Sequence, residues 1–208
     1  FFKERKILEE IINVEELKEN THHGNSLFPF FIYKNRGDSN ILTHHWHNEL
    51  EFILLIKGEA VFYLDSTPFE LKEGEAVVAN SGVIHSGKAV KNKECIFYSI
   101  VFDLKMLNSR FEDECQIKYI NPLINKKSRL TSKITGEEKW SIEIINLLKE
   151  VVDTFYKKTE GFELKIKSLL YLIIYTFSVN NKIIRIEEKH YKRKRLKKVL
   201  KFIHNNYH

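Results

Sequence analysis

Apolar residues are spaced in two ways along this chain, and the change of spacing divides it. From Lys3 to Leu17, Ile7, Leu8, Ile11 and Ile12 recur at helical intervals among charges, which predicts one short amphipathic helix packed on the rest of the fold. Between Leu27 and Asp103 the pattern shifts to short β-rich runs: Phe28–Tyr33, Leu50–Lys57, Ala60–Leu64, Ala76–Ala79 and Cys95–Phe102. Asp65-Ser66-Thr67-Pro68 and Lys72-Glu73-Gly74-Glu75 carry turn residues, and strands at such regular intervals predict an antiparallel sandwich or barrel.

Residues 104–135 are mixed, with a short helix expected near Phe111–Ile117 and Pro122 expected to end any regular element. Thr135 and Glu138 stand as a capping box ahead of Trp140, Ile144, Leu147, Leu148, Val151 and Phe155, predicting a helix of about five turns. After a break at Gly161, Phe162, Ile166, Leu169, Leu170, Ile173 and Phe177 form a second stripe that ends at Asn180-Asn181, so the two helices should make an antiparallel hairpin. The second helix is apolar around much of its circumference from Leu169 to Ile174, more than one packing face requires, and Leu169, Leu170, Ile173 and Phe177 are expected to meet a partner chain. From Lys192 to Tyr207, Leu196, Val199, Leu200 and Ile203 line one face of a last, basic helix. A short helix alone is marginal in water, so its packing partners are expected further along a longer chain.

Composition narrows the class. With 43% hydrophobic and 30% charged residues but only 3 prolines and 8 glycines in 208, the chain is globular rather than disordered or repetitive. Apolar runs such as Phe52–Ile56 fall far short of the roughly 20 residues that span a bilayer, so no membrane association is expected. The start lacks both an initiator Met and a secretory pattern, so residue 1 is not expected to be the native N-terminus. Cys95 and Cys115 match no metal-finger spacing and read as reduced thiols in a cytoplasm. The net charge of +6 matters by its location: residues 182–208 hold ten Lys or Arg against two Glu, leaving residues 1–181 with 24 basic and 26 acidic side chains. The body is near neutral, and the basic end is either a phosphate-approaching appendage or a solvated linker.

The chemistry concentrates in His45-Trp46-His47-Asn48-Glu49-Leu50-Glu51. Strand alternation directs His45, His47, Glu49 and Glu51 to the same face, and imidazole with carboxylate suits Zn, Fe, Ni or Mn. Glu49 competes with Glu51 as the carboxylate, and the same groups also suit a metal-free pocket that binds a small ligand. His22, His23 and His44 sit at expected loop positions and are assigned no role. No nucleophile stands beside a base, and no glycine-rich loop leads into a helix, so covalent and nucleotide chemistry have no support.

Two spacings carry a family resemblance. His45-x-His47-x3-Glu51-x6-Gly58 is similar to the first cupin motif, and Gly74-x5-Asn80-x-Gly82-x2-His85 to the second. Carried over, the motifs imply a jelly-roll β-barrel in which His45, His47, Glu51 and His85 form a 3-His-1-carboxylate set for one divalent metal. The sequence departs from the pattern where Asn80 replaces the family proline, where Ala89 replaces the asparagine after the last histidine, and where no glycine precedes the first histidine.

The whole order of barrel, helical hairpin with Ile166-Lys167-Ser168-Leu169-Leu170-Tyr171, and basic helix from Arg195 resembles AraC-type transcription regulators. The resemblance implies an N-terminal arm over residues 1–24 and an effector-binding cupin-like barrel over 25–134. It also implies a dimerising hairpin over 135–181, and over 182–208 a basic linker with the first helix of a helix-turn-helix domain that is otherwise absent. It further implies a cytoplasmic homodimer that binds a small molecule, a sugar by family habit, without catalysis, and reaches DNA only through the absent domain. A metal-dependent cupin enzyme, dioxygenase or isomerase, is the first alternative. A free-standing sugar-binding cupin is the second.

Overall fold

The computed structural model describes residues 17–186. The expected helices over Lys3–Leu17 and Lys192–Tyr207 therefore lie outside the described residues, save Leu17.

Two antiparallel sheets form the body. The strands are β1 (Phe30–Gly37), β2 (Asn40–His45), β3 (Leu50–Lys57), β4 (Glu59–Leu64), β5 (Thr67–Lys72), β6 (Ala76–Ala79), β7 (His85–Ala89), β8 (Cys95–Phe102), β9 (Ser128–Leu130), β10 (Lys133–Ile134) and β11 (Ile183–Arg185). The first sheet runs β1-β8-β3-β6-β10, the second β2-β7-β4-β5, and β11 pairs with β9 as a small ribbon. The helices are α1 (Asn121–Ile124), α2 (Lys139–Lys157) and α3 (Phe162–Val179).

The first sheet is buried on both faces. Ile53, Leu55, Val77, Ala79, Cys95 and Phe97 meet Ala60, Phe62, Leu64 and Leu71 of the second sheet. The alternate residues Phe30, Ile32, Phe52, Leu54, Val78, Ile100 and Phe102 meet α2 and α3. This explains why β3, β6 and β8 read as unbroken apolar runs rather than as alternating ones.

The second sheet was only partly legible. β5 begins inside the stretch read as a turn, because the reversal needs just Asp65 and Ser66, both at positive φ (46° and 69°), the backbone of a two-residue hairpin. Pro68 is tolerated because β5 is an edge strand. β7 has no apolar signature at all. It is held between β2 and β4, and at Gly87 an added Cβ would lie 2.6 Å from a ring carbon of Phe62.

Three further expectations are corrected. The cap of α2 lies at Glu138, whose side chain and Ser141 form the reciprocal box, while the Thr135 carbonyl is already occupied by Glu137 N and Ser141 Oγ. Pro122 lies within α1 instead of ending an element, since one π turn at Gln116–Ile120 precedes it and a proline in a first helical turn needs no amide partner. Finally, Leu169, Leu170, Ile173 and Phe177 are buried within this chain, at 6%, 1%, 0% and 0% exposure, and so do not form a free face. The exposed apolar residues of α3 are Leu164, Tyr171, Leu172, Tyr175 and Val179, on the opposite side.

Candidate ligand and metal site

At one end the space between the sheets is polar instead of apolar. Glu51, the second residue of β3, lies in register with Ala79 and Val101 on the inner face. Across the gap, His85 opens β7 and pairs with His45 at the end of β2, their rings 4.2 Å apart. Two register shifts in β2 set the angle at which His45 enters, a common use of bulges beside functional sites. His47 lies in the connection between the sheets, where its carbonyl accepts from Gly82 N at 2.8 Å.

The expectation that His45, His47, Glu49 and Glu51 share one strand face is thereby corrected. β2 belongs to one sheet and β3 to the other, so the motif crosses the gap. His45, His47, Glu51 and His85 each place one ligand atom so that all lie within 4.8 Å of one another. Glu49 is left outside this group, 28% exposed, with its carboxylate 3.6 Å from His47 Nδ1.

Glu51 Oε2 lies 3.1 Å from His47 Nε2 and 2.9 Å from His85 Nε2. Burial alone would raise the Glu51 pKa, but its hydrogen bonds with His47 and His85 outweigh that and hold the carboxyl well below its usual range. His85 is likewise penalised by burial, yet the bond to Glu51 prevails and raises its pKa. His45 is lowered by burial and by the neighbouring His85, which keeps it neutral. The Nδ1 atoms of His45 and His85 lie 2.9 Å from the carbonyls of Thr43 and Val83, which can only accept. Both Nδ1 therefore carry the hydrogen, and Nε2 is the atom presented inward, as in metal-binding histidines whose far nitrogen donates to a backbone carbonyl. The donor set thus fits a divalent cation.

Beside the cluster opens a cavity of about 350 Å³, lined among others by Tyr33, Asn35, His45, Glu51 and Ser99. Asn35 Nδ2 donates to Ser99 Oγ at 3.1 Å. That volume suits a small ligand, and the wall offers both donors and acceptors.

His23, assigned no role from the sequence, closes this cavity. It is 6% exposed and its Nδ1 lies 3.1 Å from the Tyr33 hydroxyl. The only local signal was Gly24, whose φ of +84° turns the chain against backbone atoms of Phe28 and Phe30 that any Cβ would strike. Burial lowers the His23 pKa, and burial with Glu19 and Glu51 nearby raises that of Tyr33. His44 also lines the cavity, with Nε2 3.2 Å from Ser86 Oγ, and His22 is exposed.

Asn80, which stands where the cupin pattern has proline, links the site to the far side of the domain. Its Nδ2 donates to the Leu130 carbonyl at 3.0 Å and its Oδ1 accepts from Leu130 N at 2.8 Å. Proline offers neither group. Leu130 is fully buried and in register with Ile183 of β11, so Asn80 anchors the strand against which the chain leaves the domain. Asn80→Ala is expected to cost about 2 kcal/mol in chemical denaturation, by leaving two buried backbone groups unpaired. A loss under about 0.5 kcal/mol would contradict this account.

A double-sheet antiparallel barrel with three histidines and a carboxylate at its polar end, backed by helices, is a cupin-type barrel. The chain belongs to the family of AraC-like ligand binding domains, which matches residues 28–174. It is 26% identical over 197 residues to the uncharacterized HTH-type transcriptional regulator YdeC of Bacillus subtilis (strain 168), a match that covers 93% of this chain and 67% of that protein. Among solved structures it is similar to the Cnp3 cupin domain of Schizosaccharomyces pombe, with a TM-score of 0.34 and 12% identity over 38% of this chain and 60% of that one. It is also similar to a salicylate 1,2-dioxygenase from Pseudaminobacter salicylatoxidans, with a TM-score of 0.34 and 11% identity over 37% of this chain and 22% of that one. No helix among the described residues is long and apolar enough to cross a membrane.

Proposed function

We propose that this chain is the sensing part of a transcription regulator, and that its effector is a small hydroxylated molecule, a sugar or polyol, held in the cavity beside the histidine cluster. The observation that carries the reading is the cavity of about 350 Å³, walled by Tyr33, Asn35, Ser99 and His45. These side chains match hydroxyl groups, which both donate and accept. One divalent cation of the Zn, Fe, Ni or Mn group, held by His45, His47, Glu51 and His85, would supply a Lewis-acidic anchor for an effector oxygen.

Binding reaches DNA through a helix-turn-helix domain following the basic end of this chain. The path out begins at β11, which pairs with β9, and Asn80 ties β9 to the second histidine motif. An effector that prefers one arrangement of these elements shifts the exit segment by linkage. Two copies associate through Leu164, Leu172, Tyr175 and Val179, which are among the exposed apolar residues of α3.

Native mass spectrometry of the chain incubated with a metabolite extract tests the reading. The wild type should retain one small molecule, and Asn35→Leu should weaken retention about tenfold or more by removing polar partners from the cavity wall. If the wild type retains nothing, the sensing reading falls. The cluster also favours a second reading, a metal-dependent enzyme. It predicts that the released compound differs in structure from the one taken up, by mass for an oxygenase and by NMR spectrum for an isomerase, whereas a sensor returns it unchanged.

A further inference from the structure

The barrel cluster leaves metal-binding atoms unused at its edge. The Glu19 carboxylate, a ring nitrogen of His23 and one of His47 also lie within 4.8 Å of one another. Glu19 and His23 come from the segment before β1, outside both histidine motifs. Their placement does not depend on side chains alone: Glu19 N donates to the Trp46 carbonyl at 2.9 Å and Trp46 N to the Leu17 carbonyl at 3.0 Å. These two backbone bonds lock the segment to the residue between His45 and His47.

Two ring nitrogens beside this corner lack hydrogen bonds. His23 Nε2 and His47 Nδ1 are buried without any hydrogen bond. His23 Nε2 points at Glu19 Oε2 from 3.5 Å, too far for a good hydrogen bond, and its side chain is 2% exposed. A second Glu19 approach, Oε2 at 3.6 Å from His45 Nε2, is equally long. Buried imidazole nitrogens that converge with a carboxylate yet stand apart from it are costly unless something between them completes their coordination.

We propose that Glu19, His23 and His47 form a second divalent-cation site, so that the domain takes two ions of the zinc class. The proposal rests on the metal reading of the barrel cluster only through His47, which the two sets share. A tetrahedral ion in the first set is satisfied by His45, His47, Glu51 and His85, which leaves Glu19 and His23 for another. His47 serves both because its ring has two nitrogens: Nε2 lies toward Glu51, and the buried Nδ1 makes no hydrogen bond, with Glu49 Oε2 3.6 Å away. Use of both nitrogens releases the ring proton to solvent. His23 is oriented by Tyr33, whose hydroxyl oxygen can accept from Nδ1–H and leave the Nε2 lone pair toward Glu19. Three protein ligands leave one position open, and because Glu19 and His23 both line the cavity, that position faces the effector. An oxygen-donor ligand would then tie the N-terminal segment to the barrel.

The test is zinc stoichiometry. The 208-residue chain is stripped with a chelator, titrated with Zn²⁺ alone and weighed by native mass spectrometry, with circular dichroism confirming each variant's fold. The wild type should hold two zinc ions, Glu19→Gln and His23→Gln one each, and Glu51→Gln should lose the other. Glu19 is partly exposed, so its variant leaves the core untouched. One ion in the wild type, retained by Glu19→Gln and His23→Gln but lost in Glu51→Gln, would overturn the second site and leave the first standing. Two ions that survive both arm substitutions would place the second elsewhere and overturn the proposal. No ion in the wild type would remove both sites.

Discussion

Glu51→Ala is expected to lower the unfolding free energy of the metal-free protein by about 3 kcal/mol, the low end for breaking a buried ionic pair because imidazole can shed its proton. Glu51 is 2% exposed, and its Oε2 is the atom that both His47 Nε2 and His85 Nε2 face. Without it, two buried nitrogens are left directed at an empty space. The comparison that gives the measurement its meaning is Glu49→Gln, which should change stability by less than about 0.5 kcal/mol because its carboxylate is partly exposed and stands 3.6 Å from His47 Nδ1, beyond hydrogen-bond reach. Urea denaturation of the two variants, followed by two coincident probes to secure two-state behaviour, decides between the carboxylates. Equal losses would mean that both carboxylates, and not Glu51 alone, share the histidines' charge.

Phe177→Ala should cost about 3–5 kcal/mol, as expected for emptying a fully buried aromatic site. Phe177 lies at the junction of three elements: its ring is 6.3 Å from that of Phe52 on β3 and 5.8 Å from that of Trp140 on α2. Truncation would open a cavity where α2, α3 and the sheet meet. On the other side of α3, the double substitution Leu172→Glu with Tyr175→Glu should leave stability nearly unchanged, as both side chains are exposed, and should halve the mass seen in sedimentation. A wild type that sediments as a monomer, or a double variant that remains dimeric, would exclude this face as the interface. Phe177→Ala without a large loss would contradict the packing itself.

The contrast between these two faces shows what periodicity conveys. Leu169, Leu170, Ile173 and Phe177 announce a helix and an apolar stripe, but a stripe does not say whether its own sheet or a second chain covers it. Here the sheet does, since β1, β3, β6 and β8 need a cover for their outer face. The same limit applies along the barrel. β3, β6 and β8 were legible end to end because burial on both faces demands apolar residues at most positions, with Glu51 and Ser99 as polar exceptions where the strands reach the site. β2, β5 and β7 were not, because their place depends on hydrogen bonds to neighbouring strands and on small residues such as Gly87 that make room for Phe62.

For the site, the spacing of His45, His47, Glu51 and His85 carried the residue types and the resemblance. It could not carry the grouping, because His45 and His85 lie on one sheet and Glu51 on the other. Which of two carboxylates turns inward depends on where β3 begins, at Leu50, one residue after Glu49. His23 entered only through a backbone turn at Gly24 and two hydrogen bonds to Trp46, contacts between segments more than twenty residues apart. The sequence by itself determined the inventory: a β-rich body, two amphipathic helices, a near-neutral core domain with a basic end, and a set of metal-capable side chains. Those are local properties of spacing and composition. The tertiary structure alone decided which side chains meet, which apolar face stays open and which carboxylate the histidines share, because convergence depends on strand pairing across the chain, and local spacing does not encode it.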